Sequence, residues 1–298
     1  MLEIKKYGAI DIGSNAIRLL ISNIIVKEGS EPQFKKSSLV RVPIRLGADA
    51  FVGGVISEEN TIRMIDAMEA FKLLMKVHHV ERYKACATSA MREAKNGAEI
   101  VDKIFNETGV KINIIGGKEE AAIISSTDLS ELIGGNSSYL YVDVGGGSTE
   151  FTVFSGGKII VSKSFKMGTV RLLSNKKSMN KEIFANVEKW IKKNTKDLKN
   201  VSLIGSGGNI NKLFKMSGRT EGKPISFIYL NAQYQFLKQM SYQERISELS
   251  LNQDRADVII PATKIYLSAM KWSGARKIYV PKIGLSDGII KSLYYNKL

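Results

Sequence analysis

The stretch Asp143 to Glu150, DVGGGSTE, sets two carboxylates at the ends of a turn that contains three consecutive glycines. Its flanks are apolar. Tyr139 to Val144 leads in and Phe151, Val153 and Phe154 lead out, so 139–154 reads as strand, tight turn, strand. With no Cβ at Gly145, Gly146 and Gly147, the turn is free to take positive φ and to converge its N–H groups on one anion. The same turn folds Asp143 and Glu150 back toward each other, where a phosphate, a hard cation and a water can meet. Two better-known glycine loops are excluded. A P-loop needs Gly-Lys-Ser/Thr and then a helix, and a dinucleotide fingerprint needs GxGxxG opening a helix. Ser148-Thr149-Glu150 running into a strand-like stretch is neither. The loop alone leaves a plain glycine-rich hairpin open as the alternative.

A second copy weighs against that alternative. Ala9 to Ile21, AIDIGSNAIRLLI, aligns without a gap on 141–153. Asp11 falls on Asp143, Gly13 on Gly145, Ser14 and Asn15 on Gly146 and Gly147, and Arg18 on Glu150. The repeat predicts two related domains facing each other, with a ligand between them. Other anion-binding candidates are Arg92, in the first turn of a helix opening at Ser89, and the glycine turn GSGGN at 205–209 before a helix near Ile210. Each of these alone is equally an ordinary capped helix. Glu120 stands in the first turn of a helix after Gly116 and Gly117, where an acid also simply matches the helix dipole.

The elements that must carry these residues alternate. Ser57 caps a helix whose Met64, Met68, Phe71 and Met75 share one face, Tyr83 to Thr88 and Val110 to Ile115 read as strands, and helices follow both. That order predicts an α/β domain with a mixed sheet. Arg41 and Arg45 lie among apolar residues in Val40 to Ala50, suited to an edge strand or to the ligand side. In the second half, Ser162 to Thr169 continues the meander, Ile183 to Leu198 forms a basic helix, and Val201 to Ile204 is a buried strand. Arg255 to Met270 then reads as a helix interrupted near Pro261, Arg276 to Pro281 as a last strand, and Gly284 to Leu298 as a closing helix.

A chain of 298 residues with 44% hydrophobic content suits two globular domains. Cys86 stands alone, so no intramolecular disulfide forms, and with no membrane-length apolar run or secretory leader the expected setting is cytoplasmic. Two histidines, His78 and His79, end one helix, which excludes a His-rich zinc site and a Ser-His-Asp triad. Of the formal charge of +15, much sits in 151–200, with twelve Lys or Arg against three acids. Such a segment suits a polyphosphate, a nucleic acid or an anionic membrane, or is a solvated helix face. The aromatics a single-strand nucleic-acid binder needs are sparse there.

Taken in order, AIDIGSNAIRLLI, IRLGADAF (44–51), ATSAMREAKN (87–96), IIGGKEEA (114–121), VDVGGGSTEF (142–151), KMGTVRL (166–172), GSGGN, RADVIIPA (255–262) and GLSDGII (284–290) resemble the exopolyphosphatase and guanosine pentaphosphate phosphohydrolase family, Ppx/GppA. The resemblance implies a two-domain actin-like ATPase fold, ribonuclease H-like in each half, with duplicated phosphate-binding hairpins and an interdomain cleft. By that analogy domain I comprises 1–117 and 285–298 and domain II comprises 118–284. It implies a phosphoanhydride hydrolase in which Glu120 activates water while Asp143 and Glu150 organise Mg²⁺ and water. Ser14, Asn15, Gly145, Gly146, Gly147, Ser148 and Thr149 take the phosphate-loop roles, and Arg92 clamps phosphate. Asp11, Arg18, Arg45, Gly207 and Gly208 are carried along with them. Asn209 stands where a small hydroxyl residue is common, and Arg255 lacks the usual preceding Pro, departures that touch the substrate wall. Longer relatives add a C-terminal His-Asp phosphohydrolase signature, which this sequence does not contain, so it resembles a short form.

The implied substrate is linear inorganic polyphosphate, with guanosine pentaphosphate as the alternative, in a homodimer that binds no membrane and no nucleic acid. Two other classes remain beside this one. A kinase of the same fold requires a nucleotide pocket that these residues do not reveal, and a non-catalytic polyphosphate or alarmone binder leaves Glu120 and its carboxylate partners without a purpose.

Overall fold

The computed structural model describes residues 2–125, 127 and 137–297. The chain divides into two compact units, Met1–Thr127 with Gly284–Leu298, and Asp128–Ile283.

In the first unit, Tyr7 to Ile12 of β1 (Leu2–Ile12) are all buried, as expected of a central strand covered on both faces. The sheet order is β3-β2-β1-β4-β5, with β2 (Ile17–Lys27), β3 (Gln33–Val42), β4 (Arg82–Ala87) and β5 (Ile112–Ile114). β1 and β2 form an antiparallel hairpin, whereas β4 runs parallel to β1 and β5 parallel to β4. Helix α1 (Leu46–Ala50) follows β3, and helix α2 (Glu58–Val77) makes the crossover to β4. Ser57 caps α2 by accepting from the Asn60 N–H, and Asp49 in turn accepts from the Ser57 N–H and hydroxyl. Met64, Met68, Phe71 and Met75 are buried in one core with Ile10, Ile12, Ile17 and Leu19, each such side chain contributing about 1.5–3 kcal/mol. The helices α3 (Ser89–Glu93) and α4 (Gly97–Thr108) carry the chain from β4 to β5.

Helix α5 (Gly117–Ser125), placed by the resemblance at the start of the second domain, belongs instead to this first unit, so the division falls after 127 rather than after 117. The reason is packing against the helix Leu285–Tyr294. A Cβ on Gly288 would lie 2.2 Å from the Ile123 carbonyl oxygen, so only glycine allows the two helices their approach.

The second unit repeats the plan. Its sheet order is β10-β11-β9-β6-β7-β8, with β6 (Ser138–Val144), β7 (Thr149–Ser155), β8 (Lys158–Phe165), β9 (Ser202–Ser206), β10 (Ile225–Ser226) and β11 (Lys277–Tyr279). β6, β7 and β8 form an antiparallel meander, β9 pairs parallel with β6, and β11 pairs parallel with β9. Strand for strand, β8-β7-β6-β9-β11 reproduces β3-β2-β1-β4-β5, and β10 is an added edge. The molecule therefore has the duplicated, ribonuclease H-like topology of the actin-like α/β fold. The helices Lys177–Thr195 and Ile259–Ser273 cover one face through Val187, Ile191, Ile265 and Met270.

Two local readings change. The tract from Arg255 is broken at Asp257 and Val258, between helices Gln253–Ala256 and Ile259–Ser273, not at Pro261. Pro261 sits in the first turn of the second helix, where a missing N–H costs nothing. The glycines at 145–147 are also not among the residues of positive φ, whereas Gly207 is, at 116°. The turn thus does not rely on left-handed backbone at these glycines.

Candidate active site

The β6–β7 hairpin places Asp143 directly opposite Glu150, with the Gly145 N–H donating to the Ser148 carbonyl at 3.0 Å to close the turn. Glu150 is 3% exposed, and its Oε1 accepts from the hydroxyls of Ser148 and Ser164, each at 2.7 Å. Two hydroxyl donors on one carboxylate oxygen fix its orientation. On the other side of Asp143, β9 brings Ser206 into register and the chain turns at Gly207. A Cβ at Gly207 would meet the Val144 carbonyl oxygen at 2.9 Å, the Tyr266 hydroxyl at 3.4 Å and Asp143 Oδ1 at 3.5 Å. Tyr266, fully buried, donates its hydroxyl to the Ser206 carbonyl. Burial, and then the Asp143 charge, hold the phenols of Tyr266 and Tyr141 well above their ordinary range, so both stay neutral.

The glycine turn is braced from outside the hairpin. The N–H of Thr169 donates to Gly145 O at 3.0 Å, and those of Val170 and Arg171 donate to Gly146 O at 2.9 and 3.1 Å. Arg171 Nε reaches Gly147 O at 2.8 Å. Thr149 donates its buried hydroxyl to the Met167 carbonyl, which ties the hairpin to this brace and commits a proton that the sequence reading assigned to phosphate.

In the first unit the candidate residues gather at the C-terminal ends of the parallel strands, where open α/β sheets bind ligands. The β1–β2 loop closes with Gly13 N–H on Ala16 O at 3.1 Å. The Ser14 hydroxyl bonds the Ser89 hydroxyl at 2.9 Å. The N–H of Arg45 donates to Asn15 O and that of Gly47 to Ser14 O, clipping the start of α1 onto the loop. Arg45 is left-handed, at φ 61°, a conformation uncommon outside glycine. Arg92 Nη1 donates to the Ile115 carbonyl at 2.6 Å, just ahead of Gly116 and α5. Because α3 spans only Ser89–Glu93 and the Arg92 N–H is bonded to Thr88 O, Arg92 contributes its guanidinium and not a helix end.

Glu120 is 9% exposed, in the first turn of α5. It lies near Cys86, which pairs in register with Asp11. Burial first, with the charges of Asp11, Glu119 and Glu120 adding to it, pushes the Cys86 thiol up to about 12. A neutral, buried thiol is no nucleophile.

The two hairpins differ at their matching positions. Asp11 faces Arg18, and the two pair at 2.7 Å, whereas Asp143 faces Glu150, a like-charge pair. The first hairpin thus carries a cation at the position that Glu150 occupies in the second. Two carboxylates with ligand oxygens are what Mg²⁺ uses, and among the described residues no group of three or more His, Cys, Asp or Glu offers a fuller cage. Asp143 and Glu150 are oxygen donors of the kind that Mg²⁺ takes.

Sequence reasoning missed Ser89, Ser164, Arg171 and Tyr266, and took Arg255 only as part of a motif. Arg255 Nη2 lies 3.0 Å from where a Gly208 Cβ would stand, over the start of the helix Gly208–Met216.

The sequence model of the Ppx/GppA phosphatase family matches residues 38–297. The chain belongs to that family. A Ppx/GppA family member from Aquifex aeolicus superposes with a TM-score of 0.78 at 24% identity, covering 99% of both chains. An exopolyphosphatase from Cytophaga hutchinsonii superposes with a TM-score of 0.86 at 23% identity, covering 98% of both. At these identities the likeness is one of fold. A bifunctional 3-dehydroquinate synthase/phosphatase of Fusobacterium nucleatum is 30% identical over 301 residues, 92% of this chain and 44% of that protein. The guanosine-5'-triphosphate,3'-diphosphate pyrophosphatase of Aliivibrio fischeri is 32% identical over 167 residues, 56% of this chain and 32% of that protein. The chain thus spans less than half the length of these curated relatives. Among the described residues, no helix is long and apolar enough to cross a membrane.

Proposed function

We propose that the protein hydrolyses the terminal phosphoanhydride of linear inorganic polyphosphate. The observation that carries this reading is the facing pair Asp143 and Glu150 beside a braced glycine turn, where the equivalent pair in the first hairpin is neutralised by Arg18. In-line phosphoryl transfer needs little covalent help, so the residues act by holding charge and aiming water. In the second unit the N–H groups of Gly146 and Gly147 bind phosphate oxygens, and the first unit offers its own phosphate-binding groups in the Ser14–Asn15 loop and the Arg92 guanidinium. Asp143 and Glu150 hold Mg²⁺, which when bound offsets the charge of the phosphate oxygens. Glu120, nearly buried, takes the proton of the attacking water.

The relative from Aliivibrio fischeri favours guanosine pentaphosphate as the second reading, using the same groups on a different tail. The deciding experiment measures phosphate release from polyphosphate, guanosine pentaphosphate and ATP side by side with Mg²⁺. Release fastest from polyphosphate supports the first reading. Transfer from ATP to an acceptor would favour a kinase, and no release from any substrate would favour a binder.

A further inference from the structure

Each carbonyl of the three glycines in the β6–β7 turn is held from one side, by the segment 169–171. Gly145 O accepts from the Thr169 N–H at 3.0 Å, and Gly146 O from the Val170 and Arg171 N–H groups at 2.9 and 3.1 Å. Gly147 O accepts from Arg171 Nε at 2.8 Å. A trans peptide is planar, so the N–H of each residue points opposite to the carbonyl before it. No peptide among the described residues is cis. The N–H groups of Gly146, Gly147 and Ser148 therefore leave the turn together, on the side away from 169–171. Among the described residues none of the three has a backbone acceptor. Gly147 is buried and Ser148 is 6% exposed. Buried N–H groups without an acceptor are rare, and three in a row facing one way suit the oxygens of one anion. The Ser148 hydroxyl already gives its proton to Glu150 Oε1 at 2.7 Å, so what Ser148 has left to donate is its N–H.

We propose that Arg171 is a positioning residue for phosphate binding: by holding the Gly147 carbonyl it turns the Ser148 N–H into the cradle beside those of Gly146 and Gly147. The inference rests on the reading above that the glycine turn takes a phosphate. The clamps are not alike. Gly145 O and Gly146 O are held by backbone N–H groups, which almost any sequence supplies, whereas Gly147 O is held by a side chain. The identity of residue 171 therefore decides the direction of one peptide, the one that ends in the Ser148 N–H. The guanidinium is a planar donor of permanent charge, so it fixes that carbonyl and also polarises the amide it belongs to, strengthening the N–H as a donor. Holding the hairpin together does not require Arg171, because three backbone hydrogen bonds and the Thr149 hydroxyl on the Met167 carbonyl already join the two segments.

The test compares the full chain with R171M, which keeps the apolar stem and loses every donor, and with R171K, which keeps the charge and a donor. Each protein is labelled with ¹⁵N-glycine and ¹⁵N-serine and titrated with inorganic phosphate in the presence of Mg²⁺ while the amide signals of Gly146, Gly147 and Ser148 are followed. Phosphate release from tripolyphosphate and the urea midpoint are measured alongside. In the wild type all three amides should respond to phosphate. In R171M the Ser148 response should be lost while those of Gly146 and Gly147 persist, with the urea midpoint near wild type. Its kcat/KM should fall by about 10²-fold, the scale of removing one preorganised donor. R171K should regain part of the Ser148 response and part of the turnover together. A Ser148 response in R171M equal to wild type overturns the proposal. So does loss of all three responses with a lowered midpoint, which would make Arg171 a structural brace. Turnover restored by lysine while Ser148 stays silent would assign a through-space charge effect and overturn it too. If none of the three amides responds in the wild type, the glycine turn is not the phosphate site and the proposal falls with it. If all three respond but no phosphate is released, the hydrolase reading alone fails, and the Ser148 response in R171M still decides the role of Arg171.

Discussion

Replacing Gly168 by alanine isolates the contact that braces the glycine turn. The backbone at Gly168, φ −103° and ψ 163°, is open to any residue, so the change adds a methyl group and nothing else. That methyl would stand 2.2 Å from Gly146 O and 2.3 Å from the carbonyl carbons of Gly146 and Gly147. Comfortable contact is at ~3.5 Å, so the two segments must part by about 1 Å. Opposing that movement are three backbone hydrogen bonds, from Thr169, Val170 and Arg171, and the Arg171 side chain on Gly147. Overpacking of this kind costs about 1–3 kcal/mol, and losing the bonds instead costs ~0.5–1.5 kcal/mol each, so neither escape is free. The expected result is a lowered urea midpoint with loss of about 1–3 kcal/mol. Phosphate release should fall by about 10²-fold, since a displacement of ~1 Å in a positioning element has that scale of effect. Unchanged midpoint and turnover would refute the claim that close approach to Gly146 is why position 168 is glycine.

Glu120→Gln should leave folding and substrate affinity near wild type and lower kcat by roughly 10²–10⁴-fold, the share of a positioned general base; near-normal turnover would remove Glu120 from the chemistry. Ser164→Ala removes one of the two hydroxyls on Glu150 Oε1, and should raise the Mg²⁺ concentration needed for half-maximal phosphate release several-fold while the urea midpoint moves by about 1 kcal/mol. A Mg²⁺ requirement identical to wild type would mean that Glu150 is oriented by other groups. Alkali should destabilise the fold: Cys86 is raised from 9.0 to about 12 and Tyr141 and Tyr266 are raised well above 10.0. Each binds its proton more tightly when folded, so the contribution is complete below the unfolded pKa and is lost as pH rises through the folded one. Unfolding stability should therefore fall from about pH 9 upward, and a thiol reagent at pH 8 should label Cys86 only after denaturation; rapid native labelling contradicts its burial.

The glycine hairpin and its copy at Ala9–Ile21 were legible because their signal is local: apolar runs around a polar or glycine turn impose strand, turn and strand whatever surrounds them. Ser57 and the Met64–Met75 stripe were legible for the same reason, since capping and helical period involve neighbours within four residues. What Glu150 touches was not, because Ser164 reaches it only through the β7–β8 pairing, and no local pattern distinguishes a serine that points at a carboxylate from one that points at water. Strand β3 was obscured by its exposed lysines and serines, and becomes a strand by pairing with β2. Pro261 suggested a break that a first-turn proline does not cause. Helix α5 was assigned by analogy, and its unit was decided by how closely Gly288 lets it approach the helix Leu285–Tyr294. The glycines at 145–147 could be read as a turn, but the packing of Gly168 against Gly146 could not, because the two lie more than twenty residues apart. Composition and period act along the chain, whereas hydrogen-bond partners and clearances of a few tenths of an ångström exist only once distant segments are packed together.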